Sequence, residues 1–444
     1  MCASGFSRQA LSFFVAAMLA GLPDAVAADT HYVWEQAPNP TSPYTNGWEQ
    51  AAHDIQPAIN SASSGDLVLV NDGLYTNSLN GSMNTSQVVI AKALTLRSVN
   101  GAAATIIDGN YPVVTNRCVH ATVAGVEVDG FTVRNGFVTN GLTHGFGAGI
   151  HMPKVGIVRN CMVSGNRVAA GTDISSSGGA GICMGEGFVG TITGLIDHCW
   201  IANNTNSNKG GGFYAYKSNI QNCQIYGNSS GTFGGGGEFY FGTVIRNCVI
   251  SNNTAGYGGG LSIRGTMENC LVCSNRASNG GGVYLGNGST TIRNCTIAQN
   301  YTAANYTGHG IFFANNALGS LVNVIVALND PTAWNRPSIH YQGATTSFGW
   351  YTNCSVQVRS EVANANSVTN ELCLFGVNNR FVNAAASDFR LAKGSVCINA
   401  GGAVEPWMYT AVDLDGHTRV DPLSGLVDMG AYEFLSRGTL LSVQ

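Results

Sequence analysis

The chain has 444 residues, of which 58 are Gly; Lys and Arg number 21 against 25 Asp and Glu, a formal charge of −4. That near balance excludes the basic face of a nucleic-acid binder, and a hydrophobic share of 44% excludes a disordered chain. A charged share of 10% is too small to clothe the outer faces of long amphipathic helices.

In chain order, residues 1–27 read as an export signal peptide. Arg8 opens it, Ala10 to Leu22 is apolar but too short to span a bilayer, and Ala25-Val26-Ala27 is a small-x-small cleavage site. No later stretch reaches about 18 uninterrupted apolar residues, so the expectation is a secreted or cell-surface protein with no membrane-spanning helix. The mature body is expected over 28–434, with a short tail at 435–444. Ile55, Ala58, Ile59 and Ala62 share one helix face, which suits a helix plugging the end of a core. Short strand-like runs follow at Leu67–Val70, Leu94-Thr95-Leu96-Arg97 and Thr105-Ile106-Ile107-Asp108.

Residues 128–330 repeat one phrase: a Gly cluster, an alternating run, an apolar residue before x-Asn-Cys, then a short strand ending in Asn. The Cys positions are 161, 199 (with His198 in place of Asn), 223, 248, 270 and 295, stepping by 38, 24, 25, 22 and 25 residues. The closing Asn falls at 166, 204, 228, 253, 275 and 300. A period of 22 to 25 residues means a solenoid. A leucine-rich frame is absent, and recurrent Gly triplets would break helical repeats. A parallel β-helix with three strands and three turns per coil remains.

In Ile245-Arg246-Asn247-Cys248-Val249-Ile250, strict alternation would place Arg246 inside. One left-handed residue at Asn247 resets the phase and turns Ile245, Cys248 and Ile250 inward, a backbone state that Asn tolerates. Stacked coils about 4.8 Å apart then let these Asn side chains form a ladder. The same register piles the cysteines into one inward column of buried free thiols, although exported chains commonly use cysteine for disulfides. A straight column cannot wrap a zinc ion, and Cys270-x-x-Cys273 lacks the helix N-terminus of a redox motif. The outward row Arg246, Glu268, Arg293 reads as a surface charge ladder of little energetic weight.

Asp54-Ile55-Gln56-Pro57-Ala58-Ile59-Asn60 with Gly65-Asp66-Leu67-Val68-Leu69-Val70, and Val128-Asp129-Gly130-Phe131-Thr132-Val133-Arg134-Asn135-Gly136, resemble the pectin-lyase-like, right-handed parallel β-helix proteins. The resemblance implies an all-β, right-handed single-stranded parallel β-helix with an N-terminal helical cap. It assigns 50–75 to the N-terminal cap and first coil. Phe381-Val382-Asn383, Asp388-Phe389-Arg390-Leu391, Ile398-Asn399-Ala400-Gly401, Asp413-Leu414-Asp415-Gly416-His417-Thr418-Arg419 and Asp428-Met429-Gly430-Ala431-Tyr432-Glu433 resemble the closing phrases of bacterial exported members with a choice-of-anchor Q-like pattern. Residues 380–434 would then be C-terminal coils and a cap. Asp413, Asp415 and Asp428 could chelate Ca²⁺, but a structural lock between Arg419 and a carboxylate is the favoured reading; no other cofactor is implied.

In members of that superfamily acting on polysaccharides, the active cleft runs along one parallel sheet. The matching strand here opens each coil after the Gly cluster and gives an outward row of His151, Cys183, Tyr214, Glu238, Ser262, Tyr284 and Phe312. Tyr216, Tyr240 and Arg264 stand two residues further on. Tyrosine faces accept pyranose rings, and charges hold hydroxyls or carboxylates. A β-eliminating lyase needs a cation for the uronate carboxylate and a base for the adjacent C–H. Tyr214, Lys217, Glu238 and Arg264 are therefore the candidate catalytic set, and Tyr216, Tyr240 and Tyr284 the candidate substrate-binding set. Paired carboxylates are missing, so a lyase fits better than a hydrolase, and whether the chain is an enzyme at all stays open. His144, His151, His309 and His340 show no metal-binding spacing. The expected partner is an extracellular acidic polysaccharide met by a monomer; the alternative is a non-catalytic surface or adhesion solenoid.

Overall fold

The structure is a computed structural model that describes residues 28–76, 85–139, 145–170, 177–186, 193–303, 307–329, 338–342, 348–356, 362–363, 368–402, 404–422 and 424–435. The segment expected to be a signal peptide, 1–27, lies outside these residues, as does the expected tail of 435–444 beyond Leu435.

The chain winds as a right-handed parallel β-helix. Among the described residues, one sheet has 13 strands from Thr30–Val33 to Val368–Glu371, a second has 11 from Thr85–Ile90 to Val362–Ala363, and a third has 12 from Gly73–Tyr75 to Leu374–Phe375. One coil shows the plan: Gly237–Phe239 lies in the second sheet, Val244–Arg246 in the first and Val249–Ser251 in the third. Each strand pairs in parallel with its equivalent one coil away, as in Ile245 with Met267 and Ile250 with Val272. The plan expected from the sequence lacked a fourth, shorter row of seven strands from Phe137–Thr139 to Tyr301–Thr302. That row and the Gly clusters after it fold over the outer face of the second sheet.

The phase reset is in place. Asn160, Asn222, Asn247, Asn269 and Asn294 have φ between 48° and 54°, and His198 has φ 50°. Each residue lets the chain turn from first to third sheet while keeping Cys and Ile inward. Cys161, Cys199, Cys223, Cys248, Cys270 and Cys295 are all buried in the core, and the twelve described cysteines are free thiols. The backbone N–H of Cys223 points at Cys248 Sγ (3.4 Å) and that of Cys270 at Cys295 Sγ (3.4 Å), so the column is continuous.

Two asparagine ladders run along the solenoid. The expected one is on the outside: Asn247 Nδ2 donates to Asn222 Oδ1 (3.3 Å) and Asn269 Nδ2 to Asn247 Oδ1 (2.7 Å). The second is buried and longer, running through Asn166, Asn204, Asn228, Asn253, Asn275, Asn300 and Asn329 with every amide-to-amide bond between 2.9 and 3.1 Å. This ladder explains the last Gly of each cluster. A Cβ on Gly236 would stand 2.6 Å from Gly260 O and 3.1 Å from Asn253 Nδ2, so a side chain there meets both backbone and ladder.

At the N-terminus, Asp54 caps the helix Ile55–Ser61, which buries Ile55, Ala58 and Ile59 against the first coils. The strand Thr30–Val33 precedes that helix and joins the first sheet beside Leu67–Val70, an element the sequence did not suggest.

The other end departs from the expectation of further coils over 380–434. Parallel winding ceases at Leu374–Phe375, and Phe381–Asn383 pairs antiparallel with Asp388–Leu391. The chain then doubles back along the flank. Phe389 packs on Leu271, Cys273 and Ala298, Asn269 Nδ2 donates to Val412 O (2.6 Å), and Arg293 pairs with Glu405. The physical reason is an apolar outer face: outward positions of the third sheet become Leu271, Cys273, Ala298, Ile325 and Ala327, all buried only because the returning tail covers them. Cys270 and Cys273 thus face opposite ways, one into the core and one under Phe389.

Arg419 is wholly buried, with Nη1 3.1 Å from Glu433 Oε1 and Nη2 donating to Gly430 O at 3.0 Å. Asp413 instead accepts backbone N–H groups of Asp415, His417 and Glu433 (2.7–2.9 Å), and Asp428 accepts those of Asn399 and Phe434. These carboxylates serve the closing fold itself.

Candidate functional site

The register places the proposed row as read: His151, Cys183, Tyr214, Glu238, Ser262, Tyr284 and Phe312 are direct neighbours on successive strands of the second sheet. They face away from the core, yet most are buried. The fourth strand row and the Gly turns lie over them so closely that a Cβ on Gly178 would stand 2.6 Å from the Tyr214 ring, and one on Gly258 3.0 Å from Tyr284 Cβ.

The candidate residues divide into three groups. Tyr284 belongs to a packed aromatic cluster with Phe233 and Tyr257 (5.4 Å each between ring centroids) and Phe312 (5.7 Å). Glu238 lies beneath the surface at 3% exposure, with Oε1 accepting from Tyr240 Oη at 2.8 Å. Burial raises its carboxyl above the ordinary range, opposed by Lys209, Tyr240 and Arg264. Lys209 escaped the sequence reading because it lies before the Gly turn, and only the fold brings its charge near Glu238.

Tyr216, Tyr240 and Arg264 form the third group, where the second sheet turns into the first; Tyr216 and Arg264 are half-buried at the rim and Tyr240 is buried beneath them. Tyr216 and Tyr240 stack at 4.6 Å with their planes 5° apart, and the Arg264 guanidinium caps the Tyr240 ring at 4.8 Å. Tyr214 adjoins the stack, 5.4 Å from Tyr240 and 6.1 Å from Tyr216. Lys217 stands at the same corner with φ 44°, between the strands Phe213–Ala215 and Ser218–Gln221. Phe241, next along from Tyr240, is 54% exposed and adds an aromatic face that the sequence reading missed. Arg264 is steered by Gly286, where a Cβ would stand 2.5 Å from Arg264 Nε; only a bare backbone lets the side chain lie there.

The electrostatics favour holding over proton removal. Burial raises the phenols of Tyr214, Tyr216 and Tyr240, keeping them protonated donors near neutrality. A phenol pushed that way is a poor base, and Glu238 is too deeply covered to touch a polymer. Of the four candidate catalytic groups, Arg264 and Lys217 therefore stand at the accessible rim, Tyr214 is half-covered, and Glu238 holds Tyr240 in place.

A concavity of about 310 Å³ lies on another flank, between Arg246 and Glu268 of the first sheet and Trp407 and Val412 of the returning tail. Arg246 and Arg293 stand 3.9 Å from Glu268. The expected surface charge ladder is thus half-roofed by a segment more than a hundred residues away.

No known family matches the chain by sequence, and no curated protein does. Among solved structures it is similar to the pectate lyase Pel9A, with TM-score 0.53, 14% identity, and coverage of 92% of this chain and 98% of that one. A pectin methylesterase from Aspergillus niger (TM-score 0.31, 13% identity, 79% of this chain and 90% of that one) and the Dettilon tailspike protein (TM-score 0.36, 13% identity, 77% and 68%) are more distant. At such identities the first likeness shows the fold, a pectin-lyase-like β-helix. No helix among the described residues is long and apolar enough to cross a membrane.

Proposed function

We propose that the protein is an exported, extracellular β-helix that binds an acidic polysaccharide at the Tyr216–Tyr240–Arg264 rim, on the cell surface or free of it. The observation that carries this reading is the stacked pair Tyr216 and Tyr240 capped by the Arg264 guanidinium, with Phe241 exposed beside it. Tyr240 is buried at 7% exposure between Tyr216 and Arg264. The aromatic faces offered to the C–H faces of sugar rings are therefore those of Tyr216 and Phe241, and the guanidinium offers paired donors to a uronate carboxylate. Lys217 adds a second cation at the same corner. The likeness to a pectate lyase supplies the scaffold, and the residues supply the argument.

Binding without cleavage is the reading the protonated phenols and the covered Glu238 favour; β-elimination is the reading they disfavour. A panel of uronate-containing and neutral glycans, examined by calorimetry and by the ultraviolet absorbance of unsaturated products, tests both. The expected result is uronate binding that falls about 10-fold or more in Tyr216→Ala and Arg264→Ala, with no unsaturated product. Equal affinity in wild type and both variants would overturn the rim, and accumulation of unsaturated product would overturn the non-catalytic reading.

A further inference from the structure

On the two coils directly before the rim, the same outward row carries a different chemistry. His151 and Cys183 are direct neighbours on adjacent strands, Ile150–Met152 and Ile182–Met184. Past the strand end, Gly185 takes φ 76° and donates its N–H to Met152 O (2.9 Å), so the chain turns and Glu186 folds back toward the pair. A nitrogen of His151, the Cys183 sulfur and a Glu186 carboxylate oxygen all lie within 4.8 Å of one another. Local spacing could not reveal this set, because residue 151 and residue 183 meet only through the winding of the coil.

Burial sharpens the case. His151 is 6% exposed, its Nε2 stands a long 3.4 Å from Glu186 Oε2, and its Nδ1 has no hydrogen-bond partner among the described residues. Cys183 is fully buried, yet it differs from the thiols of the inner column. Those donate to the carbonyl two residues earlier, as Cys248 does to Arg246 O (3.1 Å), whereas Cys183 makes no such bond among the described residues. A buried imidazole and thiol with unused lone pairs beside a carboxylate are costly without a further partner.

We propose that His151, Cys183 and Glu186 form a binding site for a borderline divalent transition-metal ion of the zinc class. The donor set of one nitrogen, one sulfur and one oxygen suits that class and not Ca²⁺ or Mg²⁺, which take oxygen ligands. Tetrahedral ligation at metal–ligand lengths of about 2.0–2.3 Å brings donor atoms to about 3.3–3.8 Å of one another, a small contraction from the observed limit of 4.8 Å. A thiolate and a carboxylate bring two negative charges to the ion beside the buried Arg117 guanidinium, whose own charge acts on all three residues, and three protein donors leave a fourth corner for water. A nucleophilic Cys–His pair is the competing chemistry, but reactive thiols sit in partly exposed sites and Cys183 is sealed. The site adjoins the glycan rim through Cys183 and Tyr214 on neighbouring strands but shares none of its residues.

The full chain, stripped with EDTA and titrated with Co²⁺ as a spectroscopic stand-in, tests the proposal. Expected are one equivalent bound, intense visible bands of four-coordinate cobalt, a near-ultraviolet thiolate-to-cobalt band, and displacement by Zn²⁺. Cys183→Ser should abolish the thiolate band while folding normally, since Ser262 occupies the equivalent buried position two strands on from Tyr214. Should that variant fail to fold, Glu186→Gln decides: its side chain is 33% exposed, and affinity should drop about 10-fold or more with the thiolate band kept. Absence of stoichiometric binding, persistence of the band in folded Cys183→Ser, or unchanged affinity in Glu186→Gln would overturn the site.

Discussion

Asn253 accepts two bonds from Asn228 on one carbonyl oxygen, from the backbone N–H at 2.9 Å and from the side-chain amide at 3.1 Å. It then passes its own amide to Ile225 O and Asn275 Oδ1, each at 3.0 Å. Every polar atom of the side chain is engaged in a site sealed from water. Asn253→Ala should therefore cost about 2–4 kcal/mol, because it leaves buried donors and acceptors on two neighbouring coils unpaired. Asn252→Ala, on the exposed adjacent residue with φ 56°, should cost about 1 kcal/mol, the strain of a left-handed alanine. Denaturant unfolding of both variants checks the ranking, and equal losses would contradict it.

The thiol column predicts chemical silence. Burial pushes the thiols of Cys161, Cys199, Cys248 and Cys295 up, so neither access nor ionisation favours alkylation. Iodoacetamide followed by peptide mass spectrometry should leave these four unlabelled in the native protein and label them fully in denaturant. Native-state labelling of Cys248 would contradict the packing.

Gly286→Ala is a probe of the rim that replaces no sugar-facing residue. The added methyl would meet Arg264 Nε and push the guanidinium off the Tyr240 ring. Uronate affinity should fall by about as much as in Arg264→Ala, with the melting temperature changed little, since a flexible side chain yields before the backbone does. Wild-type affinity in this variant would mean the cap over Tyr240 is not what the glycan meets.

Glu238 gives a pH signature. Its folded-state carboxyl is raised by burial, so the folded protein holds this proton more tightly than the unfolded chain. That contribution to stability is complete below the unfolded-state pKa and is lost as pH rises through the folded-state one. Glu238→Gln keeps the Tyr240 bond and removes the ionisation, so at pH 8 it should be more stable than wild type by about 1 kcal/mol, with no gain at pH 4. Melting curves at the two values decide, and a variant destabilised at pH 8 would refute the assignment.

Much of this was legible because a solenoid turns sequence period into spatial adjacency. Once Cys248 and Cys270 are aligned, the neighbours of Tyr214, Glu238 and Arg264 follow by counting. The left-handed Asn247 was readable for the same reason. What counting cannot supply is depth. Glu238 and Tyr284 read as surface groups in the sequence because the fourth strand row, which roofs them, has strands as short as two residues, such as Ser229–Ser230, and little hydrophobic pattern. The buried Asn ladder was in view as a repeated letter, but nothing local distinguishes a buried amide from an exposed one. The returning tail carried a signal that went unused: outward Leu271, Cys273 and Ala298 are too apolar for water.

The way that tail is laid has a bearing on how the protein can change length. A free-ended spiral grows or shrinks by whole windings, and each spliced copy merely moves the end cap along. Here Asn269, Arg293 and Gln299 are buttoned to Val412, Glu405 and Ala384. An extra winding inserted between 269 and 299 would pull those buttons out of line, whereas one inserted ahead of residue 221 would leave them undisturbed. Lengthening by duplication is thus tolerable in the early half and forbidden in the late half, and the clasp acts as a ruler for the part of the rod it embraces.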